Sequence, residues 1–133
     1  MPASVRSTPP SRTLTMARGG AVLYFAWAVL HLAVSPNIYA VAAGMAEGVA
    51  QGRVYQMGFT IAAASVVIIV AAIFNWRNDR SAYWVNAVVA SIVDIAFIIY
   101  IFIPGHAPIV SLSGPLLWLP ALLLTSMAQA RRA

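Results

Sequence analysis

Two ionisable side chains stand where the surrounding sequence calls for hydrocarbon. His31 lies near the middle of one apolar stretch and Asp94 near the middle of another. A carboxylate at the centre of a bilayer costs about 2.5–3.5 kcal/mol on insertion scales. Asp94 is therefore expected to face a protein interior and to find a hydrogen-bond donor there. A histidine at similar depth is a natural neighbour. The pair could act as a proton-responsive site, as an acid–base couple, or as a polar anchor for a small molecule. The plainer expectation is a hydrogen bond that fixes helix packing, although intramembrane hydrogen bonds average only about 0.6 kcal/mol.

Spacing supplies each residue with companions. Asn86, Ala90 and Asp94 recur at i, i+4 and i+8 and share a helical face, with Ala87 and Ser91 beside it. Trp27, His31 and Ser35 share a face in the same way. Small and polar residues at such spacing let helices approach and bond across, and taken singly Asn86, Ser91 and Ser35 read first as packing contacts. Ser35-Pro36-Asn37 interrupts the helical pattern beyond His31. Pro36 has no N–H and leaves the Leu32 carbonyl without its usual partner, which predicts a kink with exposed backbone polarity around Ser35 and Asn37. Trp118 falls deep in the last apolar stretch, away from either interface, where it packs against lipid or lines a pocket.

The elements that position these residues follow from composition. The 133-residue chain is 62% hydrophobic and 8% charged. An average soluble domain is roughly 25% charged, so eleven Asp, Glu and Arg residues cannot cover a surface of this size in water. Four apolar stretches, about 21–43, 56–74, 82–103 and 108–128, are each near the roughly 20 residues a helix needs to cross a bilayer. Runs such as Val66 to Phe74 are apolar on every side. That excludes the alternating polarity of barrel strands. The expectation is an all-α, integral membrane four-helix bundle, with proline kinks in the first and fourth helices. Residues 1–19, rich in Pro, Ser, Thr and Arg, read as a disordered basic tail, and 130–133 as a short cytoplasmic end.

Charge sets the orientation. Arg6, Arg12, Arg18, Arg77, Arg80, Arg131 and Arg132 fall on one side of the four spans and Arg53 alone on the other. The positive-inside bias then places both termini in the cytoplasm, in a cell inner membrane. Residues 1–43 also carry the pattern of a cleavable signal peptide, with a basic start, an apolar run and Ala40-Val41-Ala42. Cleavage would leave three spans.

Several functions are excluded or unsupported. There is no cysteine, so thiolate and iron–sulfur chemistry are absent. His31 and His106 lie at different depths and cannot share a metal, and His31 has no second in-span histidine for haem ligation. No cofactor is implied. The arginines are scattered at helix ends without a nucleic-acid motif, so nucleic acid is not an expected partner. The expected partners are the bilayer, a second copy of the chain or a larger membrane complex. The size and four-span layout resemble small multidrug resistance transporters, which carry an essential acid in the first helix. Here the only intramembrane acid is Asp94, in the third, and the resemblance carries no site residue across. The leading expectation is a small structural or accessory membrane protein with a polar site between its helices, and not an enzyme. The alternatives are a proton-coupled transporter centred on Asp94, and an enzyme or binder that takes a lipid-like or quinone-like molecule at His31 and Asp94.

Overall fold

A computed structural model describes residues 11–131. Among them the chain is helical throughout its regular structure, with no strand. The long elements are α1 (Ser11–Ala43), α2 (Val49–Asn75), α3 (Arg80–Phe97) and α4 (Ser113–Ala130). A π-helical turn, Ile98–Phe102, extends α3, and a 3-10 turn, Ile109–Leu112, precedes α4. With these extensions all four helices are long and apolar enough to cross a membrane. Successive helices run antiparallel. α1 packs along α2 and α4, and α3 closes the square against the same two. α1 and α3 therefore face each other across the diagonal of the bundle.

The start of α1 lies inside the stretch expected to be tail. Thr13 and Ala17 are buried on the same face as Ala21, Tyr24 and Ala28, so the stripe that packs against the bundle begins before the apolar stretch does. Residues this small do not register as core by hydropathy, yet they are what permits close helix contact. At Gly20 the approach is closest. A Cβ there would meet the Ala121 carbonyl at 3.0 Å and would overlap the Thr125 methyl of α4. Residues 1–10 of the expected tail, and 132–133, lie outside the described residues.

Pro36 sits within α1, which is helical on both sides of it. Pro120 is likewise internal to α4. The fourth span does not run as one uniform helix. Its first turn is 3-10 and the α-helix starts at Ser113, two residues before Pro115, where the ring costs no intrahelical bond.

The core cluster is built from Tyr24, Trp27, Ala28, Ile68, Ala72 and Ala90, closed by Ala121. Below it, at the end where the helix ends carry Arg12, Arg18, Arg77, Arg80 and Arg131, the bundle is fastened. Asn78 adopts a left-handed conformation (φ 58°) in the α2–α3 turn, which asparagine tolerates better than most residues. Asp79 caps α3 by accepting from the Ala82 N–H at 2.8 Å. The end of α4 grips this turn. Gln129 Nε2 donates to Asn78 Oδ1 at 2.9 Å and to the Asn78 carbonyl at 3.2 Å, and Asn78 Nδ2 donates to the Ala128 carbonyl at 3.4 Å. Tyr83 and Ser126 join α3 to α4 by a further hydrogen bond of 3.0 Å.

Candidate functional site

Asp94 projects from α3 into the bundle on the face it shares with Ala90 and Asn86, and all three are buried. Its partner is not His31. The indole of Trp27, reaching across the diagonal from α1, donates from Nε1 to Asp94 Oδ2 at 2.6 Å. His31, one turn further along α1, stacks on the Trp27 ring with centroids 3.8 Å apart and planes 25° apart. Its Nδ1 lies 2.8 Å from the Trp27 carbonyl. A carbonyl can only accept, so Nδ1 carries the hydrogen, and in the neutral imidazole Nε2 is left as an acceptor. Ser35 continues the same face and donates its hydroxyl to the His31 carbonyl at 3.0 Å. The α1 side of the site is thus locked by hydrogen bonds to its own backbone, each one turn apart.

His31 and Asp94 converge without bonding to each other. The point at which they converge is Gly114, in the first turn of α4. A Cβ on Gly114 would stand 3.0 Å from His31 Cε1, 3.4 Å from His31 Nε2 and 3.1 Å from Asp94 Oδ1. The missing side chain is what lets an imidazole nitrogen and a carboxylate oxygen share one opening. His31 Nε2 is an acceptor, and Asp94 Oδ1, the oxygen that Trp27 leaves without a donor, offers lone pairs beside it, so the opening suits a hydroxyl or amine donor.

That opening is the floor of a cavity of about 710 Å³ between the four helices. Ligand sites typically run from roughly 300 to 1,000 Å³. The cavity extends away from the basic end of the bundle. Its walls are formed by Leu30, Ile61, Val93 and Phe97, and its far rim by Arg53, Gln56 and Tyr100. Arg53 Nη1 donates to Gln56 Oε1 at 3.1 Å, which directs the guanidinium along the rim. Tyr100 belongs to the π turn, a wide turn that recurs at functional sites.

The other residues singled out by spacing are distributed differently. Asn86 is fully buried below the floor, and its carboxamide has no hydrogen-bond partner among the described residues. Asn75, just beyond the apolar stretch 56–74, is buried in the same condition at the end of α2. Ser91 accepts from Trp118 Nε1 at 3.0 Å. Trp118 therefore bridges α3 and α4, where lipid packing or a pocket lining was expected of it. Asn37 is exposed on α1 and lies outside the site. Among the described residues no group of three or more His, Asp or Glu side chains could hold a metal ion.

The sequence expectation that His31 and Asp94 lie at similar levels matches their convergence at Gly114, and Trp27 shares the face of His31 as the spacing implied, but Trp27 was not assigned as the donor to the acid. Gly114 was not singled out by its spacing or type. Arg53 was legible only as the exception to the charge bias. That exception is the available signal: a cation on the arginine-poor side has no topological reason to be there. No family model matches the chain, and neither does any curated protein or solved structure.

Proposed function

We propose that this chain is a multi-pass inner-membrane protein with both termini in the cytoplasm, and that it binds an amphipathic small molecule in the cavity between its helices. The molecule has an apolar body and a hydrogen-bond donor, such as a hydroxyl, at its inner end. The observation that carries this reading is the continuity of one cavity from the His31–Asp94 floor to the Arg53 rim through apolar walls. A purely structural role for the two ionisable residues would be met by close packing around them, and it leaves the hollow above them without a purpose. A proton-coupled transporter calls for a continuous polar path, whereas the walls between floor and rim are mostly aliphatic and aromatic, with the hydroxyls of Thr60, Ser111 and Ser113 the polar exceptions. The orientation rests on the arginine distribution, with Arg53 alone at the far end.

Trp27 provides the test, because its ring forms part of the floor structure. In a variant carrying Trp76→Phe, Trp84→Phe and Trp118→Phe, the remaining indole fluorescence reports on the site. A long-chain alcohol brominated near its hydroxyl end, titrated into the protein in nanodiscs, is expected to quench Trp27 with saturation. Ile61→Trp, which fills the cavity from its wall, is expected to weaken that saturation at least tenfold. Quenching that rises linearly with alcohol, and equally in both proteins, would falsify the reading.

A further inference from the structure

The residues at the far rim of the cavity have a chemistry of their own. Arg53 is exposed, lines the cavity and makes its hydrogen bond to a neutral carboxamide. No carboxylate pairs with it among the described residues. The other arginines of the helix ends lie at the opposite end of the bundle, where one of them, Arg18, rests over the Trp76 ring at 5.4 Å. A guanidinium offers five donors in a planar fork, and the carboxamide of Gln56 occupies part of that fork only. The remaining donors suit a carboxylate or phosphate.

The cavity is also unevenly enclosed. Gln56, Met57 and Thr60 on α2 and Ile92, Ala96 and Tyr100 on α3 line it while remaining exposed on the bundle surface. Ile92 and Tyr100 are 65% and 73% exposed. By contrast the far ends of α1 and α2 are closed on each other, with Gly58 against the Tyr39 ring and Tyr39 against Tyr55. α2 and α3 are joined by the tight turn at the basic end, so their far ends are free to stand apart. Most of the exposed lining falls on this pair of helices, with Val34 of α1 and Ser113 of α4 the exceptions, so the cleft between α2 and α3 is the widest approach to the cavity.

We infer that the ligand is an anionic single-chain amphiphile which reaches the cavity from the surrounding leaflet through the α2–α3 cleft, its acidic group held by Arg53 and Gln56 at the rim, its chain against the walls and a hydroxyl at the other end of the chain on the His31–Asp94 floor. This deepens the binding function proposed above and rests on it. The arrangement is consistent in depth. Arg53 lies one turn into α2, at the level expected of lipid headgroups, so the acidic group keeps its depth as the chain swings from bilayer to cavity. The positive charge that breaks the topological bias acquires a reason to be there.

The experiment compares two probes in the same single-tryptophan protein in neutral-lipid nanodiscs: a long-chain carboxylate with a hydroxyl at its far end, and the alcohol that carries a methyl in place of the carboxylate, both brominated beside the hydroxyl. The carboxylate is expected to saturate at roughly tenfold lower concentration, the scale of a hydrogen bond to a charged group, and Arg53→Gln is expected to abolish that difference by raising the carboxylate's saturating concentration. Ala96→Trp, which narrows the cleft, is expected to slow association about tenfold for both probes. Saturation by both probes at equal concentration in the unmodified rim would overturn the inference and leave the cavity function standing. Displacement of the carboxylate by inorganic phosphate alone would also overturn it, by showing a simple anion site. If neither probe saturates, the binding function fails and this inference fails with it.

Discussion

The two ends of the bundle solve opposite problems. At the basic end the helices are drawn together by small residues and tied by side chains. Gly20 lets α1 meet α4, and Gln129, Asn78 and Asp79 lock the last turn of α4 to the α2–α3 turn. At the far end the same four helices stand around a cavity of about 710 Å³. Trp27 is the hinge of the contrast, since its indole packs in the core cluster and holds Asp94 at the cavity floor. The lesson is that a bundle this short can keep an interior space only if its cohesion is concentrated elsewhere along the helices.

Substitutions can break or sharpen this division. The largest expected effect is at the boundary. Trp27→Phe removes the donor to Asp94 Oδ2, and a buried acceptor left unpaired costs about 1–3 kcal/mol. The smaller ring adds a packing loss, so unfolding of the variant in detergent should fall by about 3 kcal/mol. Stability within about 0.5 kcal/mol of the parent would mean that the floor is not structurally tied to the packed end.

Gly20→Val comes next. Its side chain would be driven into Thr125 and the Ala121 backbone, and overpacking of this kind costs about 1–3 kcal/mol. Thermal unfolding should show the loss, and the double variant Gly20→Val/Thr125→Ala should recover part of it, because the methyl overlap is relieved and only the carbonyl contact remains. Gln129→Ala is expected to cost about 1 kcal/mol and to speed hydrogen exchange at the backbone amides of the α2–α3 turn. Unchanged exchange there would show that α4 does not secure that turn.

The smallest effect is expected at the hollow end. Burial of a branched aliphatic side chain in a filled core makes truncation to alanine cost about 2–5 kcal/mol. Ile61 already faces open space, so Ile61→Ala should cost under about 1 kcal/mol by the same chemical denaturation. A loss comparable to that of Gly20→Val would show the cavity walls to be as tightly packed as the basic end, and would erase the comparison.

Much of the fold was legible because apolar length is a property of the chain alone. Four stretches near 20 residues announce four helices, and turns such as that around Asn78 and Asp79 follow from their polar residues. The beginning of α1 was not legible, because Thr13 and Ala17 are core only by virtue of the helix they pack against. The same limit applies to the site. The depth of His31 and Asp94 follows from counting residues, and depth brought them to one level. Whether they bond to each other depends on which helices are diagonal and on what stands between them. Here that is the Trp27 ring and the bare backbone of Gly114. A cavity is the space left by several helices together, and no single helical face encodes it.

The π turn at the end of α3 has one more consequence. Its backbone bonds span five residues, from Ile103 N–H to the Ile98 carbonyl at 2.9 Å and from His106 N–H to the Ile101 carbonyl at 3.0 Å. Such a turn holds one residue more than an α-helical turn, and each residue of an α-helix advances the phase by about 100°. Ile98–Phe102 therefore acts as a phase shifter. Upstream of it, Asp94 keeps the angular setting dictated by the Asn86–Ala90 stripe. Downstream, the chain is re-aimed without altering that setting, so the two ends of one helix can be tuned to different neighbours.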